Sequence, residues 1–336
     1  MSVKLAIFLI LLFCAPAFAD LAAGQRAFES GDYATALKEF MPLAQRGNSV
    51  AQFHLGVMCE DGQGVAQDFR EAAKWYRLAA EQGIMHAQFN LGLLYENGKG
   101  VPQNSKEAVK WFRLAAEQGY AGAQFSLGVM YRLGRGIPLD AKEAFRWYRL
   151  AAEQGVAAAQ FNLGNMYRTG ESVPQDYGEA LQWYRRAAEQ GLADAQRGLG
   201  GMFLRGEGVP QDDKEGVRWA RLAAEQGDAE SESALGSAYA LGEGVPQDHK
   251  EAARWLRLAA EQGESHAQVA LAILYEQGEG VPQDYARAHM WYNLAGASGN
   301  PDGTKNRDRI VRKMTPSQIA EAQRLARDWK PRPGRQ

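Results

Sequence analysis

The chain has 336 residues, of which 46% are hydrophobic, with 38 lysines and arginines against 40 aspartates and glutamates. This composition is that of a globular protein and excludes a disordered or collagen-like chain. The net charge of -2 disfavours nucleic acid as a partner, because phosphate binding requires an excess of cations, and two cysteines are too few for a disulfide framework.

Residues 1–19 have the features of a cleaved signal peptide. A lysine near the start is followed by a short apolar run and by Ala17-Phe18-Ala19, the small-x-small pattern that precedes a cleavage point. A transmembrane anchor is the alternative, but about nine apolar residues are too few for a bilayer, which requires about 20. Lipidation at Cys14 is a lesser alternative. We therefore predict export, a mature chain that begins at Asp20, and no stable membrane anchor.

Residues 48–299 consist of seven copies of a 36-residue repeat, without insertions or deletions. A tryptophan returns every 36 residues, at Trp75, Trp111, Trp147, Trp183, Trp219, Trp255 and Trp291. A unit of this size cannot bury its own apolar face, so successive units stack. The repeat therefore predicts one continuous all-α solenoid.

Each copy has the pattern of two helices joined by a glycine-rich loop. In copy two, residues 84–119, apolar side chains recur at helical spacing up to Gly98, which is placed to end the first helix in a left-handed conformation. Asn104 follows, with Glu107 three residues later, which is the pattern of an N-cap and its returning carboxylate. We predict a helix A before this loop and a helix B after it, ending at Gly119.

Residues 300–336 follow the last copy and have the pattern of a closing helical cap. Thr315-Pro316-Ser317-Gln318 predicts a capping box that opens a helix. Residues 304–336 are rich in lysine and arginine, so the cap has a basic tail. Two interpretations stay open for this charge: peripheral contact with an anionic membrane or an acidic partner, or a solvated capping face.

No motif for catalysis, cofactor binding or metal binding is present. Zinc-protease, redox, hydrolase and acyl-serine spacings are missing, and the five histidines do not pair at ligand spacing within one helix. Cys59 stands where other copies have tyrosine or phenylalanine, which indicates packing rather than nucleophilic chemistry. We therefore predict that the protein is not an enzyme and takes no cofactor and no metal.

The repeat unit resembles a known family. Read over residues 87–119, it is Ala-Gln-Phe-Asn-Leu-Gly-x-x-Tyr-x-x-Gly-x-Gly-Val-Pro-Gln-x-x-x-Glu-Ala-x-x-Trp-x-Arg-Leu-Ala-Ala-Glu-Gln-Gly, which resembles the Sel-1-like repeat, a relative of the tetratricopeptide repeat. The resemblance covers residues 48–299 and implies a right-handed α-α superhelical solenoid of helix-turn-helix repeats. Residues 20–47 resemble a tetratricopeptide hairpin and would form the N-terminal cap.

The same resemblance implies a function as an adaptor or scaffold between proteins. Some bacterial Sel-1-like repeat proteins with a signal peptide regulate envelope signalling by holding a membrane sensor protein. Together with the signal-peptide pattern, this implies a periplasmic protein of a Gram-negative bacterium that regulates an envelope or signalling protein.

The candidate binding site is the concave groove that the resemblance to tetratricopeptide arrays implies along the A helices. Helical arithmetic places the same positions of each copy opposite the packing stripe. Four copies present an aromatic residue there, and arginines follow in the middle of the array, which suits a partner segment with apolar and acidic groups. The alternative is that the phenylalanines pack between copies. The candidate residues are Phe53, Phe89, Leu93, Glu96, Phe125, Val129, Arg132, Phe161, Asn165, Arg168 and Arg197.

Two other functions stay open at this stage. One is a cell-wall-related enzyme or small-molecule binder for a β-lactam or a peptidoglycan fragment, because some cysteine-rich relatives are described in that way. The repeats here lack the disulfide-forming cysteines of those relatives, which weakens the inference. The other is a secreted effector directed at a host, which requires export beyond the periplasm.

Overall fold

The computed structural model describes residues 19–332, which form eighteen α-helices and one short 3-10 helix, with no β-strand in that range. The all-α fold class and the helix-turn-helix repeats predicted from the sequence are confirmed. Residues 1–18, which hold all but the last residue of the predicted signal peptide, lie outside the described residues, as do residues 333–336.

The helices follow the 36-residue period. The chain starts with α1 (Leu21–Glu29) and α2 (Tyr33–Gln45). The A helices of the seven copies are α3 (Ser49–Asp61), α5 (Met85–Asn97), α7 (Ala121–Leu133), α9 (Ala157–Thr169), α11 (Ala193–Arg205), α13 (Ala229–Leu241) and α15 (Ser265–Gln277). The B helices are α4 (Phe69–Glu81), α6 (Ser105–Glu117), α8 (Ala141–Glu153), α10 (Tyr177–Glu189), α12 (Asp213–Glu225), α14 (His249–Gln262) and α16 (Tyr285–Ala297). The chain closes with α17 (Pro301–Ile310), the 3-10 turn Val311–Lys313 and α18 (Pro316–Asp328).

Local signals set the helix ends. Helix α5 ends at Gly98 in the left-handed conformation, with φ of 68°, and the side chain of Asn104 accepts hydrogen bonds from the first amides of α6. The carboxylate of Glu107 was expected to bond back to this cap but lies 3.7 Å from the Nζ of Lys110. The backbone N–H of Asn104, which the returning carboxylate would have accepted, already donates to the Tyr95 oxygen at 2.9 Å, so the glutamate pairs with a cation one turn on.

The described residues divide into two compact units, up to Trp147 and from Tyr148 onward, with the boundary inside α8. In the first unit, buried Phe40, Leu55 and Met58 belong to one apolar cluster. Helices A and B of a copy approach closely where a glycine faces an aromatic ring. A β-carbon at Gly92 would lie 2.6 Å from the ring of Phe112, so that only glycine permits this contact.

The second unit has the same construction. Tyr184, Leu199 and Met202 form the core of its first copies, and Leu256, Leu271 and Tyr292 lie in the core of its last copies. All of these side chains are almost fully buried. The B helices therefore contribute large side chains that fill the space against the A helices.

A ladder of glutamines links successive copies within each unit. In copy five, the Nε2 atom of buried Gln196 donates to the backbone oxygen of Ala188 at the end of the preceding B helix, at 3.2 Å. Its Oε1 atom accepts a hydrogen bond of 2.8 Å from Gln226, the C-cap residue of the B helix in the same copy. Gln52 and Gln88 make the same pair of bonds in the first unit. The glutamine after the alanine of helix A and the glutamine before the repeat glycine thus satisfy buried polar groups.

The last copy is modified to receive the C-terminal helices. Trp111, Trp219 and Trp255 each lie beneath a cation of their own helix, whereas the equivalent Trp291 is met by the ring of Trp329 at 6.2 Å. Met290 replaces that cation and belongs to the same apolar cluster as Leu325 and Trp329.

Helix α18 opens with the capping box expected at Thr315, in which both reciprocal bonds to Gln318 are present. The preceding segment is attached by buried Glu276, whose carboxylate accepts two hydrogen bonds from Arg309 and one from Lys313. The C-terminal helices are therefore joined to copy seven by both apolar and ionic contacts.

Candidate functional site

In the first unit, the predicted phenylalanines are half-buried and contact other aromatic rings. The ring of Phe53 lies 6.0 Å from Tyr76 of its own B helix and 5.9 Å from His86 of the next copy. Phe89 lies 5.7 Å from Phe112 and 5.0 Å from Tyr120. These rings pack within and between copies and still keep one face partly exposed.

His86 and Tyr120 extend this aromatic surface, with their rings 4.9 Å apart. Tyr120 was not predicted from the sequence, because it stands one residue before α7, outside the helical spacing that defined the face. An aromatic residue at this N-cap position, where copy one has Asn48, is the signal that could have found it.

The other candidates in the first unit occupy the same face. Leu93, Phe125 and Val129 are half-buried, and Arg132 is exposed. Burial raises the pKa of the Glu96 carboxyl, and the nearby charge of Arg135 opposes this shift. The face of the first unit is therefore mainly apolar and aromatic.

In the second unit, four candidates line one cavity of about 340 Å³ between copies four and five, which we call the polar cavity. They are Phe161, Asn165, Arg168 and Arg197, and the cavity is completed by residues that the sequence analysis did not select: Tyr184, Asp194, Gly198, Gly201, Arg205 and Glu230.

Tyr184 organises one wall of the polar cavity. Its hydroxyl donates to the Oδ1 atom of Asn165 at 2.6 Å and accepts from the Nε atom of Arg168 at 3.2 Å, and its ring lies 5.7 Å from Phe161. Burial raises the pKa of Tyr184, which the neighbouring Arg168 opposes. The guanidinium of Arg168 is therefore held in a defined position beside an aromatic ring.

The three arginines of the cavity differ in their pairing. Arg197 contacts the carboxylates of Asp194, Asp228 and Glu230. The Nε atom of Arg205 lies 2.6 Å from the Oε1 atom of Glu207. Arg168 has no carboxylate of the described residues within ion-pair distance, and its charge acts on Glu207 only at longer range. The cationic stretch expected from the arginines is therefore neutralised at Arg197.

Missing side chains on α11 create the space of the cavity. Gly198 and Gly201 stand where other copies carry larger residues such as Asn162 and Asn165. A glycine inside a helix costs about 1 kcal/mol relative to alanine. A β-carbon at Gly201 would lie 2.9 Å from the guanidinium of Arg205, so the absence of a side chain lets Arg205 lie across the helix.

The predicted basic tail is partly paired within the protein. Arg307, Arg309 and Lys313 contact Asp308 or Glu276. Arg324 pairs with Glu321 and Asp328, and Arg332 with Glu261. These contacts leave less free positive charge than the sequence count implies.

The described residues contain no group of three histidine, cysteine, aspartate or glutamate side chains arranged to hold a metal ion. Burial raises the pKa of the half-buried Cys59 thiol, and Glu71 and Asp68 add to the shift, so that its thiolate is disfavoured. Within residues 19–332, no helix combines the length and the hydropathy needed to cross a bilayer.

Comparison with known proteins assigns the repeats. The family model described as Sel1 repeat matches seven times, over residues 49–84, 86–120, 121–156, 157–192, 193–228, 229–264 and 265–300. No curated protein gives a significant match.

Several solved structures are similar to this chain. A Sel1 repeat protein from Oxalobacter formigenes is 35% identical, with a TM-score of 0.65, over 72% of this chain and 96% of that chain. A protective antigen present in uropathogenic Escherichia coli strains, which displays an SLR fold, is 31% identical over 92% of this chain and 90% of that chain, with a TM-score of 0.40. An immunity protein from Pseudomonas aeruginosa is 20% identical over 65% and 83% of the two chains, with a TM-score of 0.37.

Proposed function

Because the chain belongs to the Sel1 repeat family, whose members are generally protein-interaction scaffolds, we propose that it is a non-catalytic adaptor that binds a segment of a partner protein on the face of its A helices. The polar cavity carries this proposal. There, the Nε atom of Arg168 donates to the hydroxyl of Tyr184, whose ring lies 5.7 Å from that of Phe161. Arg168 forms no ion pair within the described residues, and the carboxylate of Glu207 acts on it only at longer range. An oriented guanidinium next to an aromatic ring suits an acidic side chain that is flanked by apolar groups.

We further propose that the adaptor works in the periplasm on an envelope or signalling protein. The signal-peptide pattern of residues 1–19 supports export, and the fold supports a role in binding rather than in chemistry. Fractionation of cells that express the tagged protein tests the location. Recovery in the cytoplasm with the first 19 residues still attached would contradict it.

In-cell crosslinking and pull-down of the tagged protein test the adaptor function. We expect the wild type to capture a specific envelope protein and the double variant Phe161→Ala/Arg168→Glu to lose it. Lys214→Glu is the matched control, because it makes the same charge change on an exposed helix-B position of the same unit. Circular dichroism establishes that each variant folds. Equal capture by the wild type and the double variant would show that the polar cavity is not part of the binding site.

The aromatic face of the first unit is tested in the same experiment by Phe89→Ala. This change removes a half-buried ring that contacts Phe112 and Tyr120. If the partner also occupies the first unit, capture should fall for this variant while folding is retained. Capture that depends on Phe161 and Arg168 alone would confine the site to the second unit.

A further inference from the structure

The second unit contains another cavity, of about 270 Å³, between copies six and seven. We call it the apolar cavity, because Ala240, Leu256, Ala270, Ile273 and Leu274 form most of its walls. Two large apolar side chains at this cavity remain in contact with solvent: Leu241 is 65% exposed and Ile273 is 38% exposed. The cavity therefore presents apolar surface that nothing in the described chain covers.

The two cavities occupy equivalent positions of the repeat, two copies apart. Asn165, Arg168, Tyr184, Gly198, Gly201 and Arg205 of the polar cavity correspond, 72 residues later, to Ser237, Ala240, Leu256, Ala270, Ile273 and Gln277 of the apolar cavity. The same structural space is thus lined once by hydrogen-bonding and charged groups and once by apolar groups. Because both lie within the second unit and at the same repeat positions, both open on the face of the A helices.

At equivalent positions, polar residues of the polar cavity are replaced by apolar residues in the apolar cavity. Arg168 and Tyr184, which hydrogen bond to each other, are replaced together by Ala240 and Leu256. At the rim, the Nδ1 atom of His249 lies 3.4 Å from an oxygen of Glu279, so these two titratable groups of the cavity face each other at its edge. An apolar side chain of a ligand would enter the apolar cavity without leaving a buried charge uncompensated.

We propose that the two cavities are paired subsites for one extended segment of a partner protein, in which a carboxylate binds Arg168 and an aliphatic side chain fills the apolar cavity. This inference rests on the proposed adaptor function and names the chemistry of the segment. Arg168 is the charge that selects the acidic residue, because Arg197 and Arg205 already contact carboxylates of this chain. The exposed Leu241 and Ile273 extend the contact for the aliphatic group.

The repeat geometry sets the spacing of the two groups in the ligand. Neighbouring packed helices lie about 10 Å apart, so two steps of A helices amount to about 20 Å. An extended chain advances about 3.3 Å per residue and spans this distance in about six residues. The segment therefore carries its acidic and aliphatic residues about six positions apart.

Binding of designed peptides to the mature chain tests the proposal. The probes are fluorescein-labelled peptides on a glycine-serine framework, each with one glutamate and one leucine separated by three to nine positions. Fluorescence anisotropy should show the tightest binding near a separation of six. Replacing the glutamate by glutamine, or the leucine by serine, should weaken binding at least tenfold. Absence of binding at millimolar protein, or equal binding at all separations, would overturn the proposal.

Exchange of the chemistry between the cavities gives the second test. Arg168→Ala should remove the preference for glutamate over glutamine and leave the preference for leucine. Ala240→Arg/Leu256→Tyr, which installs the residues of the polar cavity at the equivalent positions, should replace the leucine preference with a glutamate preference. Lys214→Glu should change neither, and circular dichroism establishes folding of each variant. Unchanged preferences in both folded variants would overturn the paired subsites.

The two experiments separate the two proposals. A partner that is captured in cells and lost with the Phe161→Ala/Arg168→Glu variant, while no designed peptide binds, would retain the adaptor function and reject the paired subsites. Peptide binding without capture of any envelope protein would retain the subsites and reject the proposed cellular role.

Discussion

Ser172 has a backbone conformation that side chains with a β-carbon avoid. Its φ is 65°, and it is the one non-glycine residue with positive φ within residues 19–332. The equivalent loop residues of other copies are glycines, such as Gly136, with φ of 70°. The left-handed conformation costs about 1–2 kcal/mol for a residue with a β-carbon, part of which is offset by the greater freedom of glycine in the unfolded chain.

We therefore expect Ser172→Gly to raise the free energy of unfolding by about 0.5–1 kcal/mol in urea denaturation. The reverse change, Gly136→Ser, is the matched comparison. A β-carbon at Gly136 would lie 2.3 Å from the backbone oxygen of Ser105, so this variant should lose more than about 2 kcal/mol. A loss of stability in Ser172→Gly would show that the serine hydroxyl compensates for the conformation.

Glu276 is a buried carboxylate whose charge is balanced by the C-terminal segment. Its side chain is 8% exposed and accepts hydrogen bonds from Arg309, Lys313 and the hydroxyl of Tyr292. Burial alone raises the pKa of Glu276, but the hydrogen bonds from Arg309, Lys313 and Tyr292 outweigh it and hold the pKa below its usual value. The carboxylate therefore stabilises the folded state when it is ionised.

We expect Glu276→Gln to lower the free energy of unfolding by about 2 kcal/mol at neutral pH, because charged hydrogen bonds are lost while the half-exposed cations regain solvent. Since the pKa is lower in the folded than in the unfolded state, this contribution is complete above the unfolded pKa. It is lost as pH falls through the folded pKa. Urea denaturation of both proteins at pH 7 and near pH 3 should show their stabilities converging in acid. A difference that is independent of pH would contradict this assignment.

At the scale of the helix pair, the glutamine ladder predicts a cost for each missing step. Gln196→Leu keeps the volume of the side chain but removes its bonds to Ala188 and Gln226. The Ala188 oxygen keeps the amide of Gly191 as a donor, so we expect a loss of about 1–2 kcal/mol in urea denaturation. Gln211→Leu, at an exposed position of the same unit, is the control and should have little effect. Equal stability of both variants would mean that the ladder contributes nothing net.

The helices themselves were predictable because their signals are local. Gly98 and Asn104 act on the backbone of their own turn, and the 36-residue period repeats these signals seven times. The glutamine ladder was not predictable in this way, because its partners lie 8 and 30 residues away in sequence. Periodicity marks such a glutamine as part of the repeat without showing what it bonds.

The candidate site was only partly predictable for the same reason. Helical spacing brought Phe161, Asn165 and Arg168 to one face, and the structure places them around one cavity. The neutralisation of Arg197 depends on Asp228 and Glu230 of the next copy, which helical spacing within one helix does not reveal. The space of the polar cavity arises at Gly198 and Gly201, which carry no side chains. A pattern of apolar and polar side chains along a helix does not predict such a space.

At the scale of the whole molecule, the C-terminal helices should protect the end of the repeat array. Helix α17 contacts α16 closely, since a β-carbon at Gly303 would lie 2.5 Å from the backbone nitrogen of Gly296, and Ile310 is fully buried. Removal of residues 301–336 therefore exposes the apolar surface of copy seven and leaves Glu276 without its cations. In a repeat protein, each unit is stabilised mainly by its neighbours, so the damage should start at this end.

We expect this truncation to abolish hydrogen-exchange protection in α15 and α16 while α9 to α12 stay protected, as measured by mass spectrometry. The full-length chain with Glu276→Gln is the intermediate control, because it keeps the apolar contacts of the cap. Uniform loss of protection across residues 148–300 would instead show that the second unit unfolds as one cooperative body.

The residues that are specific to copy seven determine which copies of the repeat can be duplicated or lost. Met290 and Asn293 suit copy seven alone, because Met290 lies in the apolar cluster with Trp329 and Asn293 accepts a hydrogen bond from Arg307. Duplication or deletion of an internal copy leaves both ends of the protein intact, whereas the loss of copy seven does not. Recombination between copies would therefore shift the two cavities apart or together in whole-repeat steps, and a lineage could adjust to a longer or shorter partner segment without a single point mutation.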